Sequence, residues 1–265
     1  MRAAWVVLGL VFAGCGYAVA KSAGGGDALV SSTQMIAVTT PDWNAVDGRL
    51  QRYERDSASE AWRPVGDSFA IVVGKKGLGW GAGVTAGGNG HGASDPVKKE
   101  GDGRSPAGVF RLGTAFGYAP EALSGSKMPY LELTPSIECV DDVDSRFYNR
   151  VVDRSKVAVD WKSSERMRET GEAYRWGIVV DHNGIAGPPS KAPVRGGGSC
   201  IFLHLWQGAG HGTAGCTAMA PVAMEALLLW LDPKRSPLLV QLTAEEYARV
   251  MKQWNLPAVI NLPAR

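Results

Sequence analysis

The sequence has almost no excess of charge of either sign, and this narrows the classes of partner. It contains 28 Lys and Arg against 26 Asp and Glu, a formal net charge of +2 over 265 residues. Proteins that bind along a phosphate backbone carry a clear basic excess, so nucleic acid is not an expected partner. With 45% hydrophobic residues the chain is too apolar for a disordered protein and long enough for one well-filled core.

Long apolar runs are missing beyond the N-terminus. No later run approaches the roughly 20 residues that a membrane helix needs, so no transmembrane helix is expected in the mature chain. Arg2 followed by the apolar residues 3–13 predicts a signal peptide over residues 1–20. Residues 12–15 also resemble a lipobox, which makes a lipid anchor at Cys15 the alternative. Both interpretations predict export to the periplasm or cell envelope.

Cysteines are few, and none is arranged as Cys-x-x-Cys. After removal of Cys15 the exported chain keeps Cys139, Cys200 and Cys216, an odd number in a compartment that favours disulfides. The simplest assignment pairs Cys139 with Cys200 and leaves Cys216 free, because the surroundings of Cys216 look catalytic. The other pairings stay open from the sequence.

Glycine is abundant, with 34 residues, and the chain has 9 tryptophans, a combination that suits turn-rich β structure. Short apolar runs separated by Gly, Pro, Asp and Asn predict strands at residues 35–39, 50–55, 69–73 and 109–112. Helices are predicted at residues 163–173, 221–231 and 247–254, the last after a Thr243/Glu246 capping box. We therefore expect a mainly β fold with flanking helices.

The domain organisation follows from composition. Residues 21–32 are small and glycine-rich, which predicts a flexible linker after the signal peptide. No linker interrupts residues 33–265, so a single domain is expected there.

The segment richest in chemical groups begins at Cys200. Strand alternation over residues 200–206 would place Phe202, His204 and Trp206 on one face of the strand. Ile201, Leu203 and Leu205 would lie on the other face. Residues 207–215 include four glycines and then lead into Cys216. A loop of that kind is able to fold Cys216 back beside His204.

A Cys–His pair has a definite chemical use, because the thiolate is the nucleophile and a neighbouring imidazole removes its proton. Gly215, immediately before Cys216, allows close approach of the backbone to a substrate carbonyl. The amides of Gly215 and Cys216 are therefore candidate donors to an oxyanion.

These residues resemble the L,D-transpeptidase catalytic domain of the YkuD type, whose signature is a His, a glycine-containing loop and a Ser/Thr-His-Gly-Cys turn. Here that turn is Thr213, Ala214, Gly215 and Cys216. Residues 98–110 and 196–199 are similar to family elements that precede the histidine strand. Cys139, Asp141, Asp142, Tyr148 and Asn149 are similar to a pattern of a family subgroup. The resemblance covers about residues 33–242.

The resemblance implies a YkuD-like fold and roles for particular residues. Cys216 would be the acylated nucleophile, His204 the general base, and the Leu205 carbonyl the group that orients the imidazole. The turn that includes Thr213 and Gly215 would form the oxyanion hole. In the family the cysteine attacks the meso-diaminopimelate carbonyl of a peptidoglycan stem tetrapeptide and expels D-Ala. An amine then accepts the acyl group, or water accepts it in an L,D-carboxypeptidase.

Two departures from the family pattern affect substrate binding. Ala214 replaces a second histidine, for which His211 is a candidate substitute. The Arg that usually follows the cysteine is missing, and Arg195 or Lys191 is a candidate replacement. Trp206 is a further candidate to contact the substrate.

Two other functions stay open. Cys200, His204, His211 and Cys216 offer four ligands for a zinc ion, although the spacing matches no familiar zinc motif. The same departures also allow a catalytically inactive module that only binds peptidoglycan. The expectation that we carry forward is an enzyme without a cofactor or metal.

Among the remaining polar residues, we expect His182 to lie in a turn and Asp141 and Asp142 to lie in a loop with local backbone hydrogen bonds.

Overall fold

A computed structural model describes residues 25–84, 92, 94–187 and 192–258. The predicted signal peptide, Cys15 and Lys191 lie outside the described residues. Within the described ranges, no helix has both the length and the apolar character needed to cross a bilayer.

The described chain is mainly β with few helices, as the sequence predicted. The strands are Gln34–Thr40 (β1), Asp47–Glu54 (β2), Arg63–Val72 (β3), Leu78–Trp80 (β4), Ser105–Gly117 (β5), Tyr130–Glu132 (β6), Ile137–Val140 (β7), Val151–Asp153 (β8), Ser164–Arg166 (β9), Trp176–Val180 (β10), Phe202–Leu205 (β11), Thr217–Met219 (β12) and Leu238–Thr243 (β13). The α-helices are Gly25–Ser31 (α1), Pro221–Trp230 (α2) and Ala244–Val250 (α3). Short 3-10 turns occupy Arg154–Lys156, Met167–Glu169, Gly171–Tyr174 and Pro233–Arg235.

The main sheet closes on itself. Its strand order is β10-β11-β12-β3-β2-β1-β13-β5, and β10 pairs with β5 as well as with β11. Most neighbours are antiparallel, but β1 and β13 run parallel, and so do β11 and β12, with His204 opposite Ala218. This pairing places the residue that precedes β12, Cys216, beside the start of β11.

The core fills the inside of this closed sheet. Fully buried apolar side chains from β1, β5, β11 and β13 form one large cluster, and Met224 and Leu227 of α2 join it. At about 25 cal/mol per Å² of apolar surface, such burial is the main stabilising contribution. The apolar runs predicted as strands at residues 35–39 and 109–112 lie in β1 and β5 and supply part of this core.

A smaller sheet lies beside the main one. β7 pairs antiparallel with β8 and β9. Buried Glu138 on β7 holds its neighbours together, because its carboxylate accepts hydrogen bonds from Trp161 and Ser164 at 2.8 Å and pairs with Arg154. This sheet carries Cys139, which joins Cys200 in a disulfide with Cα atoms 5.9 Å apart. The predicted pairing is confirmed, and Cys216 is free.

Two local predictions were wrong. Residues 163–173 form β9 and two 3-10 turns instead of a helix, because Ser164 and Glu165 pair with β7 and Gly171 has a positive φ of 73°. Within the predicted linker, residues 25–31 form α1. The buried guanidinium of Arg55 fixes it by donating hydrogen bonds to the carbonyls of Leu29 and Val30.

The helix predictions near the C-terminus were better. α2 begins at Pro221, as predicted, and the Thr243 hydroxyl accepts a hydrogen bond from the Glu246 amide at 3.2 Å to cap α3. α3 begins at Ala244, earlier than predicted, and its regular part ends at Val250.

Candidate active site

The strand β11 presents its two faces to different surroundings. Leu203 and Leu205 belong to the main core inside the closed sheet. Phe202 and His204 face the other way and meet the ring of Tyr174, with centroid distances of 5.6 and 5.4 Å. The alternation predicted from the sequence is confirmed, and it places His204 among aromatic side chains.

The imidazole of His204 is held in a defined orientation. Its Nδ1 lies 2.8 Å from the Leu205 carbonyl oxygen, which accepts a hydrogen bond only if Nδ1 carries the proton. The lone pair of Nε2 is then free to accept a proton. Burial lowers the pKa of His204, so the ring is neutral at pH 7.

Cys216 is a buried free thiol with 6% of its surface exposed. Its Sγ lies 3.3 Å from the Cys200 carbonyl oxygen, to which it donates, and 3.3 Å from the Phe202 amide, which donates to it. Burial and then the nearby charge of Glu165 raise the pKa of the thiol to about 12. The Phe202 amide, Lys98 and Tyr174 act in the opposite direction. The thiol is therefore protonated at rest and needs a base to become a nucleophile.

His204 and Cys216 line the same pocket, of about 460 Å³. Other predicted site residues that line it are Leu205, Trp206, His211, Thr213 and Ala214. The pocket thus brings together most of the residues that the sequence singled out, including His204 and Cys216, which are 12 positions apart in the chain.

The loop of residues 207–215 reaches the pocket because it is attached to the residues that follow β3. The Thr213 amide donates to the Val73 carbonyl at 3.0 Å, and the Lys75 amide donates to the Thr213 carbonyl at 2.8 Å. Gly212 fits against this segment only without a side chain, since a Cβ there would lie 2.6 Å from the Lys75 Cα. The glycine signal in the sequence therefore reflects a close backbone approach.

The turn that ends at Cys216 uses one of the two expected oxyanion donors for itself. The Gly215 amide donates to the Thr213 hydroxyl at 3.1 Å, and that hydroxyl donates to the Cys216 carbonyl at 2.5 Å. The Ser105 hydroxyl donates to the same carbonyl at 2.7 Å. Within the described part of the chain, the amide of Cys216 has no hydrogen-bond partner. Of the two expected oxyanion donors, the Cys216 amide is thus the one that the turn leaves free.

Of the remaining substrate-binding candidates, His211 and Ala214 line the pocket and Arg195 does not. His211 is exposed at the pocket edge, with Nδ1 3.2 Å from the Ala209 carbonyl, and Ala214 is exposed beside it. Arg195 does not line the pocket, because its exposed side chain pairs with Asp144. The structure thus does not bring Arg195 to the position of the missing family arginine.

The disulfide positions the carbonyl that contacts the thiol. Cys200 has a positive φ of 55°, which is strained for a residue with a Cβ. Its amide donates to the buried Asn149 side chain at 3.0 Å, and the Asn149 amide group donates to the His182 carbonyl at 3.1 Å. Asn149 and Cys139, both singled out by the resemblance, therefore act on Cys216 through Cys200. The disulfide also removes Cys200 from the set of possible zinc ligands.

Several other polar residues are now placed. The carboxylate of Asp142 accepts hydrogen bonds from the Asp144 and Lys162 amides, at 2.9 and 2.7 Å, as expected of a loop. The expectation was wrong for Asp141, whose Oδ1 is buried without a hydrogen-bond partner among the described residues. His182 precedes a turn, but its side chain is buried and its Nε2 lies 3.0 Å from the Gly197 carbonyl. Burial lowers the pKa of His182 to about 4, so this ring is neutral and structural.

Sequence reasoning missed three residues near the sulfur. Tyr174 and Glu165 both line the pocket, and the Tyr174 hydroxyl donates to Glu165 Oε2 at 2.6 Å. The ammonium of Lys98 is buried, pairs with Asp102 at 2.7 Å, and would lie 3.7 Å from a Cβ on Gly215. Lys98 is the first residue of the segment 98–110, which resembles a family element. That resemblance was the one signal in the sequence that could have marked any of these three residues. Glu165 and Tyr174 lie where a polar helix was expected, and no motif marked them.

Among the described residues, no three His, Cys, Asp or Glu side chains are grouped so as to hold a metal ion. Comparisons with protein-family models, with curated proteins and with solved structures returned no match for this chain.

Proposed function

We propose that this chain is an exported cell-wall enzyme, a cysteine acyltransferase of the L,D-transpeptidase type. The proposal rests on one observation: a free thiol, Cys216, and an oriented neutral imidazole, His204, line the same pocket. The motif resemblance supports a peptidoglycan stem peptide as the donor. A YkuD-like fold is part of the same proposal.

The chemistry is acyl transfer in two stages. Cys216 loses its proton to a base of the pocket, and the thiolate attacks the donor carbonyl. The oxyanion that forms accepts a hydrogen bond from the Cys216 amide. The carbon–nitrogen bond then breaks, the leaving D-amino acid takes a proton, and a thioester remains. An acceptor amine attacks the thioester, gives its proton to His204 and releases the thiol.

The acceptor decides between two activities. An amine gives a cross-linked or exchanged peptide, and water gives an L,D-carboxypeptidase. We propose the amine as the main acceptor, in line with the motif resemblance, and hydrolysis as the alternative.

Incubation with defined muropeptides followed by mass spectrometry tests the proposal. We expect tetrapeptide muropeptides to lose D-Ala and to form cross-linked dimers, or exchange products when a D-amino acid is added. Release of tripeptides alone would replace transpeptidation by carboxypeptidation. No change in any muropeptide would contradict an enzymatic role in peptidoglycan.

One observation favours a peptidoglycan-binding module without catalysis. The resting thiol is buried and its pKa is raised to about 12, which is unfavourable for a nucleophile. A carbapenem separates the two functions, because it acylates an activated cysteine. An adduct on Cys216 in the intact protein supports the enzyme, whereas muropeptide binding without any adduct supports the binding module.

The turn hydroxyl gives a specific prediction. Thr213→Val removes the acceptor of the Gly215 amide and a donor to the Cys216 carbonyl, so we expect turnover to fall about 10²-fold through a misplaced oxyanion donor. Thr213→Ser keeps the hydroxyl and is expected to retain most activity. Steady-state kinetics on a tetrapeptide muropeptide measures both. Equal activity of the valine and serine variants would remove the turn hydroxyl from the mechanism.

A further inference from the structure

Tyr174 joins the two sides of the pocket. It ends the 3-10 turn Gly171–Tyr174, and only 4% of its surface is exposed. The rings of Phe116, Phe202 and His204 pack against it, with centroid distances of 5.4, 5.6 and 5.4 Å. This packing fixes the direction of the hydroxyl, which lies between the Glu165 carboxylate and the Cys216 thiol.

The hydroxyl of Tyr174 has contacts to both groups. It donates its single hydrogen to Glu165 Oε2 at 2.6 Å, and it lines the same pocket as the Cys216 side chain, with which it interacts electrostatically. A phenol oxygen accepts through its lone pairs while its hydrogen is donated elsewhere. At rest the thiol hydrogen is donated to the Cys200 carbonyl at 3.3 Å, and rotation about the Cβ–Sγ bond turns it towards the Tyr174 oxygen. Each hydrogen of the thiol–phenol–carboxylate chain then has a next acceptor.

We infer that Glu165 is the proton acceptor for Cys216 in the resting protein and acts through the hydroxyl of Tyr174. The thiol proton passes to the Tyr174 oxygen as the Tyr174 proton passes to Glu165 Oε2. The products are a thiolate, which now accepts a hydrogen bond from Tyr174, and a neutral Glu165. His204 keeps its part in the second stage, where it takes the proton of the acceptor amine.

The charges favour this acceptor over His204 before substrate binds. Transfer to Glu165 moves one negative charge from the half-buried carboxylate to the buried thiol. Transfer to His204 instead creates a thiolate and an imidazolium where both groups were neutral, which costs more in a buried site. Burial lowers the pKa of His204, whereas burial raises the pKa of Glu165 to about 7. A base with that pKa is well matched to proton transfer at neutral pH.

The ionisable surroundings of Glu165 support the same direction. The groups that face the thiol–phenol–carboxylate chain are Asp141, Glu100 and Lys98, besides its own members. Asp141 and Glu100 are negative and raise the affinity of Glu165 for a proton. Lys98, paired with Asp102, lies near the sulfur and stabilises the thiolate. Both influences move the proton from sulfur towards Glu165.

The test is the pH dependence of alkylation of Cys216 by iodoacetamide in the full chain, with the Cys216 peptide quantified by mass spectrometry. We expect the wild-type rate to rise with a midpoint near the Glu165 pKa of about 7. Glu165→Gln and Tyr174→Phe should each lower the rate at pH 7.5 about 10²-fold and move the midpoint to higher pH. His204→Phe, which removes the imidazole base but keeps a ring against Tyr174, should keep the wild-type midpoint. Thermal unfolding of each variant checks that it is folded.

Two variants outside the thiol–phenol–carboxylate chain serve as matched controls. Glu169→Gln changes an exposed carboxylate of the same segment that pairs with Arg166, and Tyr130→Phe removes a phenol that donates to the Ala119 carbonyl. Both should keep the wild-type profile. The inference is overturned if His204→Phe loses the neutral midpoint, or if either Glu165→Gln or Tyr174→Phe keeps it. The inference uses the proposed function only for the later steps. Alkylation needs no peptide, so its outcome and that of the muropeptide assay are independent.

Discussion

Cys216→Ser and His204→Ala are each expected to abolish turnover of tetrapeptide muropeptides. The serine hydroxyl does not ionise in a buried pocket, so the variant lacks a nucleophile. His204→Ala removes the base whose Nδ1 is fixed by the Leu205 carbonyl at 2.8 Å, and general base catalysis is typically worth about 10²–10⁴-fold. Mass spectrometry of the products, with a detection limit about 10⁴-fold below the wild-type rate, measures the loss.

The two variants should differ in what remains. His204→Ala retains the thiol and is expected to accumulate thioester, because deacylation by the amine is the step that needs the imidazole. Cys216→Ser should form no adduct. Thermal unfolding close to that of the wild type shows that neither result is due to misfolding. Wild-type activity in either variant would end the assignment of a Cys–His acyl transfer.

The central part of the site could be predicted from the sequence because it is local. The period of two in β11 places His204 opposite the apolar Leu203 and Leu205 whatever the rest of the fold does. The glycines of residues 207–215 indicated a chain reversal, and the odd number of cysteines was consistent with one free thiol. These signals need no knowledge of distant contacts.

The parts that could not be predicted depend on contacts between segments. Glu165 reaches the pocket because β9 pairs with β7, and a polar stretch carries no mark of such pairing. Arg195 was chosen by position in the chain, but Asp144, 51 residues away, pairs with its guanidinium. The Gly215 amide was expected to face the substrate, and the Thr213 hydroxyl two residues earlier captures it. The sequence did show Thr213 two residues before Gly215, so its hydroxyl could have been recognised as a competing acceptor for the Gly215 amide.

Removal of the disulfide is expected to cause the largest loss of stability. The bond closes a segment with a sequence separation of 61 residues, for which the loss of chain entropy in the unfolded state corresponds to about 4 kcal/mol. Both cysteines are buried, so Cys139→Ala/Cys200→Ala also leaves space in the smaller core cluster. Urea unfolding measures the free energy of unfolding.

A reducing agent separates the covalent bond from the packing. Dithiothreitol should destabilise the wild type and Cys216→Ser equally, and should leave Cys139→Ala/Cys200→Ala unchanged. The reduced wild type should also lose activity, because the disulfide holds the strained Cys200 whose carbonyl contacts the Cys216 sulfur at 3.3 Å. If the double variant unfolds at the same urea concentration as the wild type, the bond does not stabilise the fold. Full activity in that variant would show that Asn149 alone is sufficient to hold the Cys200 carbonyl in place.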